Sequence, residues 1–208
     1  MVVKIRAENI DGVVEKPKLC QPKALHVPAI NLQGASVKDI PVSNRIISRI
    51  LREANNLKQK PLENFTIFVC NDNALFWKLI MTGPIDTYYY GYTWLLSVEF
   101  SQDYPFRPPD IRFVTPIYHC NISDDGLICH EILRSHWTHQ TIIYDVLKQI
   151  IGLLSEPEPN DAISTAKGNL YNTAREDYYK ELKEYNEKYA KATIEELKKQ
   201  YQLEQYDI

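Results

Sequence analysis

The sequence predicts an α+β domain, a four-stranded antiparallel sheet running as a meander, with one helix before it and helices after it. Three observations carry this reading. Apolar residues recur at helical spacing from Ile46 to Leu57, give way to short β-branched and aromatic runs between Phe65 and Val114, and return to helical spacing after Trp137. The early runs are joined by connections too short for a crossover, so sequence neighbours pair antiparallel. Helical and strand segments are also segregated along the chain rather than alternating, which places helices against one face of the sheet.

Residues 1–42 carry Pro17, Pro22, Pro28 and Pro41, mixed charge and no sustained period, and read as an extension or linker. Within it, Leu25, Val27, Ile30 and Leu32 offer apolar contacts for docking on the domain. Ser43 stands where a helix cap is expected. Ile46, Ile47, Ile50, Leu51, Ala54 and Leu57 then form one stripe, and the helix is expected to end near Asn55 to Leu57, before Pro61. Strands follow as FTIFVC from Phe65, LFWKLIM from Leu75, TWLLSVEF from Thr93 and IRFV from Ile111. Asn71-Asp72-Asn73, Gly83-Pro84 and a proline-rich loop separate them.

Tyr88-Tyr89-Tyr90-Gly91-Tyr92 lacks the interleaved basic residues of a base-stacking platform, so these tyrosines read as packing groups at a strand entrance. After Trp137, the residues Ile142, Ile143, Val146, Leu147, Ile150, Ile151 and Leu154 make a stripe broad enough for a buried helix, which stops before Pro157. Thr173 and Glu176 have capping-box spacing, with Ala174, Tyr178, Leu182, Tyr185 and Tyr189 lining one face of the helix they head. Thr193 and Glu196 repeat the spacing before a last amphipathic segment containing Ile194, Leu197 and Tyr201. The chain thus divides into an extension, 1–42, a core domain, 43–190, and a helical extension, 191–208.

The length of 208 residues suits one domain with extensions. A formal net charge of -3 with interspersed signs gives no electrostatic reason to expect nucleic acid as a partner. Met1-Val2-Val3-Lys4 leads into charged residues, so neither a secretory signal nor a membrane span is visible. The expected setting is the cytoplasm, with the nucleus as a second location. Cys20, Cys70, Cys120 and Cys129 form no CxxC pair and no dense framework, as expected of free thiols in a reducing compartment. Cys70, inside an apolar run, reads as a small buried hydrophobe.

The segment from Tyr104 to Trp137 concentrates the special residues. Pro105, Pro108, Pro109 and Pro116 force an extended, irregular path, and a loop so constrained holds other groups in place. His119, Cys120, Cys129, His130, His136 and His139 supply donors for zinc, but their spacing does not match paired-ligand patterns, and no metal is expected. No local signature around Cys129 supports a peptidase. A third chemistry is acyl carriage, in which a thiolate attacks an activated carbonyl and its thioester stays reactive toward an amine. An amide such as that of Asn121, in a stiff loop, is placed to hydrogen-bond the oxyanion formed in that attack.

These residues also carry a resemblance. Gly83-Pro84, Tyr89, Gly91, Tyr104 to Pro109, Phe113, His119, Asn121, Gly126, Ile128, Cys129, Ile132, Leu133, Trp137, Glu156-Pro157, Pro159 and Asp161 form an ordered set that resembles the core of ubiquitin-conjugating enzymes, over about Ser43 to Ala190. The resemblance implies that Cys129 receives ubiquitin or a similar modifier from an activating enzyme as a thioester, then passes it to a lysine amine or a ligase cysteine. By the same resemblance, Asn121 stabilises the oxyanion or supports the nearby loop, His119 has a structural role, and Asp161 orients the incoming lysine or helps it lose its proton. Pro105 and Phe106 match the loop that meets the activating enzyme and RING-type or HECT-type ligases, with Thr138 and His139 on the other half of that surface. No organic cofactor is implied, because the activating enzyme uses the ATP.

The sequence departs from the family pattern at several points. Cys120 replaces a proline between His119 and Asn121, and reads as a small-residue substitution rather than a second active thiol. Thr138-His139-Gln140 stands where a Ser/Thr-Pro pair is usual. His130 follows the nucleophile where an aliphatic residue is common, and reads as a surface histidine. The interval from Trp77 to Gly83 is one residue longer than usual and suggests a bulge in the second strand. The competing reading is a silent scaffold of the same fold that binds ubiquitin or a ligase. Retention of both Cys129 and Asn121 favours the enzyme.

Overall fold

The computed structural model describes residues 42–70 and 73–203. The expectations placed on residues 1–41, including the docking of Leu25 to Leu32, lie outside the described residues, as does the side chain of Cys70.

Helix α1, Val42–Gln59, leads into four strands, β1 Phe65–Cys70, β2 Asn73–Thr82, β3 Thr93–Glu99 and β4 Asp110–Phe113. The strands pair antiparallel in the order β1-β2-β3-β4, a meander as expected from their short connections. Four helices follow, α2 Ile143–Ser155, α3 Thr165–Thr173, α4 Arg175–Tyr189 and α5 Ile194–Tyr201. The α1 helix already includes Ser43, which was expected just before it, and runs two residues past the expected end. The expected bulge is not in the interval from Trp77 to Gly83, where β2 pairs in unbroken register with both neighbours, but β2 does carry an irregularity nearer its start: Val69↔Trp77 is followed by Cys70↔Asn73, which leaves the surplus residues on β2.

Alternation along the strands explains where the core sits. Trp77, Leu79 and Met81 of β2 and Trp94, Leu96 and Val98 of β3 point to one face, where they meet Ile46, Ile50, Ala54 and Leu57 of α1 and Val146, Leu147, Ile150 and Leu154 of α2. Leu51, expected in the α1 stripe, is 50% exposed, and Glu53 takes a buried place beside it. The reason is chemical. Glu53 accepts from the Tyr104 hydroxyl at 3.1 Å, the Ile143 backbone N–H at 3.1 Å and Arg49 Nε at 2.7 Å, so its burial is compensated by three donors.

Helices do not keep to one face. Phe68, Ile80 and Leu95 form a second, smaller core on the opposite side of the sheet, closed by Leu197 of α5 and by Leu203. The face is divided: Lys78, Ser97 and Arg112 line up across the neighbouring strands as on a solvated face, while the apolar part lies under α5. The Thr193–Glu196 capping box that starts α5 is present as expected, with the Thr193 hydroxyl accepting from Glu196 N–H and the Glu196 carboxylate accepting from Thr193 N–H.

The Thr173–Glu176 box does not form. Thr173 ends a separate helix, α3, and donates its hydroxyl to the Asn169 carbonyl at 2.8 Å, while Ala174 heads α4 without a side-chain cap. Tyr178, Leu182 and Asn186 then face the core at every fourth position, with Tyr185 partly buried against it as expected, whereas Tyr189 is exposed. Of the tyrosine cluster, Tyr89 is the buried member, with its hydroxyl donating to the Tyr118 carbonyl at 2.8 Å. Tyr88 and Tyr90 are exposed, the former stacked on Tyr179 with ring centres 3.8 Å apart. No helix among the described residues is long and apolar enough to cross a membrane.

Candidate active site

Cys129 ends a narrow hairpin that begins at His119. Ile122 and Ile128 bridge antiparallel, Cys129 N–H donates to the Asn121 carbonyl at 2.9 Å, and Ser123 N–H donates to the Leu127 carbonyl at 3.0 Å. The turn closes at Gly126, whose φ of +82° favours glycine. A Cβ there would also lie 2.0 Å from the Phe113 carbonyl oxygen, so only glycine lets the hairpin lie against the end of β4. Arg112 of β4 holds the tip, donating to Asp125 at 2.8 Å.

The base of the hairpin is fastened from inside. The buried His119 ring accepts from Asn121 N–H through Nδ1 at 3.0 Å, which puts the ring proton on Nε2, 2.9 Å from the Leu153 carbonyl at the end of α2. Burial pushes its pKa down to about 4, so the ring is neutral and acts as a strut between two backbone groups. The Asn121 amide is equally committed. Its Nδ2 donates to the carbonyls of Glu158 at 2.8 Å and Asp161 at 3.1 Å, and its Oδ1 accepts from Glu158 N–H at 2.9 Å. Both amide hydrogens are thereby spent on the short turn Pro159–Asp161, and in this arrangement neither points to a substrate oxygen.

That turn brings Asp161 to Cys129. Asp161 Oδ2 lies 4.0 Å from Cys129 Sγ, across 32 residues of sequence. Asp161 is exposed, whereas Cys129 is only 4% exposed, so the sulfur sits in a shallow recess with the carboxylate at its rim. Burial is the main reason the Cys129 thiol pKa is raised. Arg134 pulls it back, and the carboxylates of Asp161 and Glu158 push it further up. Glu158 and Arg134 were not singled out in the sequence. Their signal, one acid and one base within five residues of proposed site residues, was too common to isolate.

Cys120 is fully buried, its thiol raised mainly by burial and donating to Asn121 Oδ1 at 3.2 Å. It packs inside the core, where a thiol is a small hydrophobe. His130 is not a free surface ring: its Nδ1 accepts from Ile132 N–H at 3.1 Å and closes the 3-10 turn Glu131–Leu133. Among the described residues, no three His, Cys, Asp or Glu side chains gather in a way that could hold a metal ion.

Pro105, Phe106, Thr138 and His139 come together on one edge. Trp137 Nε1 donates to the Pro105 carbonyl at 2.8 Å, which ties the two loops, and Phe106 lies with its ring centre 6.3 Å from that of His139. Phe106 is 79% exposed. The loop from Thr138 is braced without a proline: Thr138 N–H donates to the Thr141 hydroxyl at 3.1 Å, and Arg49 of α1 donates to the carbonyls of His139 at 3.3 Å and Thr141 at 3.0 Å.

Comparison with known proteins adds two findings. The family model described as "Ubiquitin-conjugating enzyme" matches residues 49–186. The chain is also similar to a protein of Acanthamoeba polyphaga mimivirus described as a probable bifunctional E2/E3 enzyme, at 32% identity over 191 residues, or 90% of this chain. The chain spans 15% of the length of that relative.

Proposed function

Because this chain belongs to the ubiquitin-conjugating enzyme family, we propose that Cys129 carries ubiquitin or a ubiquitin-like modifier as a thioester and hands it to a lysine amine or to a ligase cysteine. The observation that carries the assignment is the 4.0 Å approach of the Asp161 carboxylate to the Cys129 sulfur. A recessed thiol beside an exposed carboxylate suits an acyl carrier whose second substrate is a cation.

In the first step Cys129 Sγ attacks the thioester carbonyl presented by the activating enzyme. The new carbon–sulfur bond forms as the old one breaks, and the thiol proton passes to the departing thiolate. Burial and the two carboxylates that raise the thiol pKa also make Cys129 a poorer leaving group, which protects the loaded form from water. In the second step a lysine approaches past Asp161. The carboxylate attracts the ammonium, and the amine must shed a proton before its lone pair can attack. A carbon–nitrogen bond then forms, the carbon–sulfur bond breaks, and Cys129 recovers a proton.

In this reading Asn121 and His119 are positioning residues that hold the Asp161 turn and the hairpin. Pro105, Phe106, Thr138 and His139 form the docking edge for the activating enzyme and for RING-type or HECT-type ligases. The carrier needs no cofactor of its own, since ATP is consumed by the activating enzyme, and a cytoplasmic setting keeps its thiol reduced. We take residues 43–190 as the catalytic unit, flanked by extensions at 1–42 and 191–208.

The test is a charging reaction with activating enzyme, ATP and ubiquitin, resolved on gels with and without reductant. Wild type should give a reductant-sensitive adduct, Cys129→Ser a reductant-resistant oxyester and Cys129→Ala none. Charging that survived Cys129→Ala but vanished in Cys120→Ala would overturn the assignment. Repeating the reaction with other modifiers separates a wrong modifier from a wrong function.

A further inference from the structure

Nothing in the acyl-transfer chemistry uses the residue next to the nucleophile, yet in this structure both acceptors of His130 are engaged. Its carbonyl accepts from Leu133 N–H at 3.0 Å and its Nδ1 accepts from Ile132 N–H at 3.1 Å. The backbone at His130 is extended, with φ −150° and ψ 141°, the geometry from which a side chain can reach two residues ahead. The ring therefore closes the 3-10 turn Glu131–Leu133 at the point where it leaves Cys129. From the other side, Cys129 N–H is fixed to the Asn121 carbonyl at 2.9 Å. The backbone that carries the sulfur is held on both flanks.

The turn is also braced at its far end. Arg134 N–H and His136 N–H both donate to the Glu131 carbonyl at 2.9 Å, and the His136 ring lies 3.0 Å from the Glu131 carboxylate. At the next residue, the chain is tied to the docking edge through Trp137 Nε1 and the Pro105 carbonyl. The turn thus spans the distance between the nucleophile and the surface where partners are expected. Its one side-chain closure at the nucleophile end comes from the imidazole. An aliphatic residue at position 130 would leave Ile132 N–H without this partner.

We propose that His130 is a positioning residue for Cys129: its imidazole, in the tautomer with the proton on Nε2, accepts from Ile132 N–H and so fixes the turn from which the sulfur is presented. What matters is a short side-chain acceptor at this place, which the ring provides through an unprotonated Nδ1. Asparagine, which caps turns with its side-chain oxygen, can replace it, and leucine, close to it in bulk, cannot. The inference rests on the carrier reading for its consequence in catalysis, but the capping itself stands apart from that reading.

The experiment compares the full chain with His130→Leu and His130→Asn by two readouts. The first needs no activating enzyme: hydrogen exchange at the Ile132 amide, together with the rate at which iodoacetamide modifies Cys129, mapped by mass spectrometry. In His130→Leu the Ile132 amide should exchange about fivefold faster than in wild type, the size of one lost side-chain cap, and the alkylation rate of Cys129 should shift. In His130→Asn both should return to within about twofold of wild type. The second readout is single-turnover discharge of the preformed thioester to free lysine, which should fall about fivefold in His130→Leu and recover in His130→Asn.

Unchanged Ile132 exchange in His130→Leu overturns the cap. Discharge that is the same in all three chains, or no better in His130→Asn than in His130→Leu, overturns the positioning role. If wild type forms no thioester, the carrier reading fails, and Ile132 exchange and Cys129 alkylation decide the inference alone.

Discussion

The hairpin that carries Cys129 and the edge made by Pro105, Phe106, Thr138 and His139 belong to one continuous stretch, but they are held in opposite ways. Around Cys129 the fastening groups are side chains buried in the protein, and they have no spare capacity: His119 uses both ring nitrogens and Asn121 uses its oxygen and both amide hydrogens. At the edge it is the backbone that is fastened, by Arg49 and Trp137, while the side chains of Phe106, Thr138 and His139 remain exposed. The first region loses its geometry when one side chain changes. The second can change its outward side chains without disturbing the fold, as suits the proposed docking role.

The largest effect that distinguishes the regions is expected from Asn121→Ala. It leaves the carbonyls of Glu158 and Asp161 and the N–H of Glu158 without their partners, and should cost about 4 kcal/mol of unfolding free energy in urea titrations. A variant as stable as wild type but slow in discharge would instead mean that the amide serves the oxyanion, and the contrast drawn above would break.

Next comes the response to acid. An unfolded His119 titrates near about 6.5, whereas burial holds the folded ring down to about 4. As pH falls through the unfolded value, the unfolded chain takes up a proton that the folded chain refuses, so stability is lost with falling pH between these two values. The total loss is on the order of 3 kcal/mol, and denaturation midpoints measured from pH 7.5 to pH 4 on about half-unit steps should show it. His119→Gln, which does not titrate, should show a shallower slope. Parallel slopes would mean that the strut does not carry the acid sensitivity.

Asp161→Asn should slow discharge to free lysine by about a hundredfold, since it removes the carboxylate that faces the approaching amine. Its exposure predicts an unaltered urea midpoint, so rate and stability separate at the rim of the site. The smallest change in stability belongs to Phe106→Ala, within about 0.5 kcal/mol of wild type, because the ring is 79% exposed. Ligase-stimulated discharge should nevertheless fall about tenfold, the weight of one aromatic contact residue. A large loss of stability in Phe106→Ala would show that the edge is part of the core after all.

Much of this was legible in the residues. The four strands and the buried helix after Trp137 lie within two residues of the runs that predicted them, because their period is imposed by which side must face the core. Misreadings fell where local pattern and distant partner disagree. Thr173 and Glu176 have capping-box spacing, but a separate helix, α3, ends at Thr173. The burial of Glu53, which the sequence reading did not single out, depends on three donors from α1, the Tyr104 loop and the start of α2. The second core also escaped, since Phe68, Ile80 and Leu95 acquire a meaning only when α5 lies across them.

By itself, the sequence determined the meander, the positions of the helices other than α3 and the short list of side chains around Cys129, because periodicity and turn chemistry act over a few residues. The tertiary structure decided what those side chains do. It brings Asp161 against Cys129 across 32 residues, commits Asn121 to holding that turn, and turns His130 inward to the Ile132 N–H. Such roles depend on which donors and acceptors meet after folding. Spacing in the chain does not encode that meeting, because each buried polar group takes whatever partner the packed fold presents.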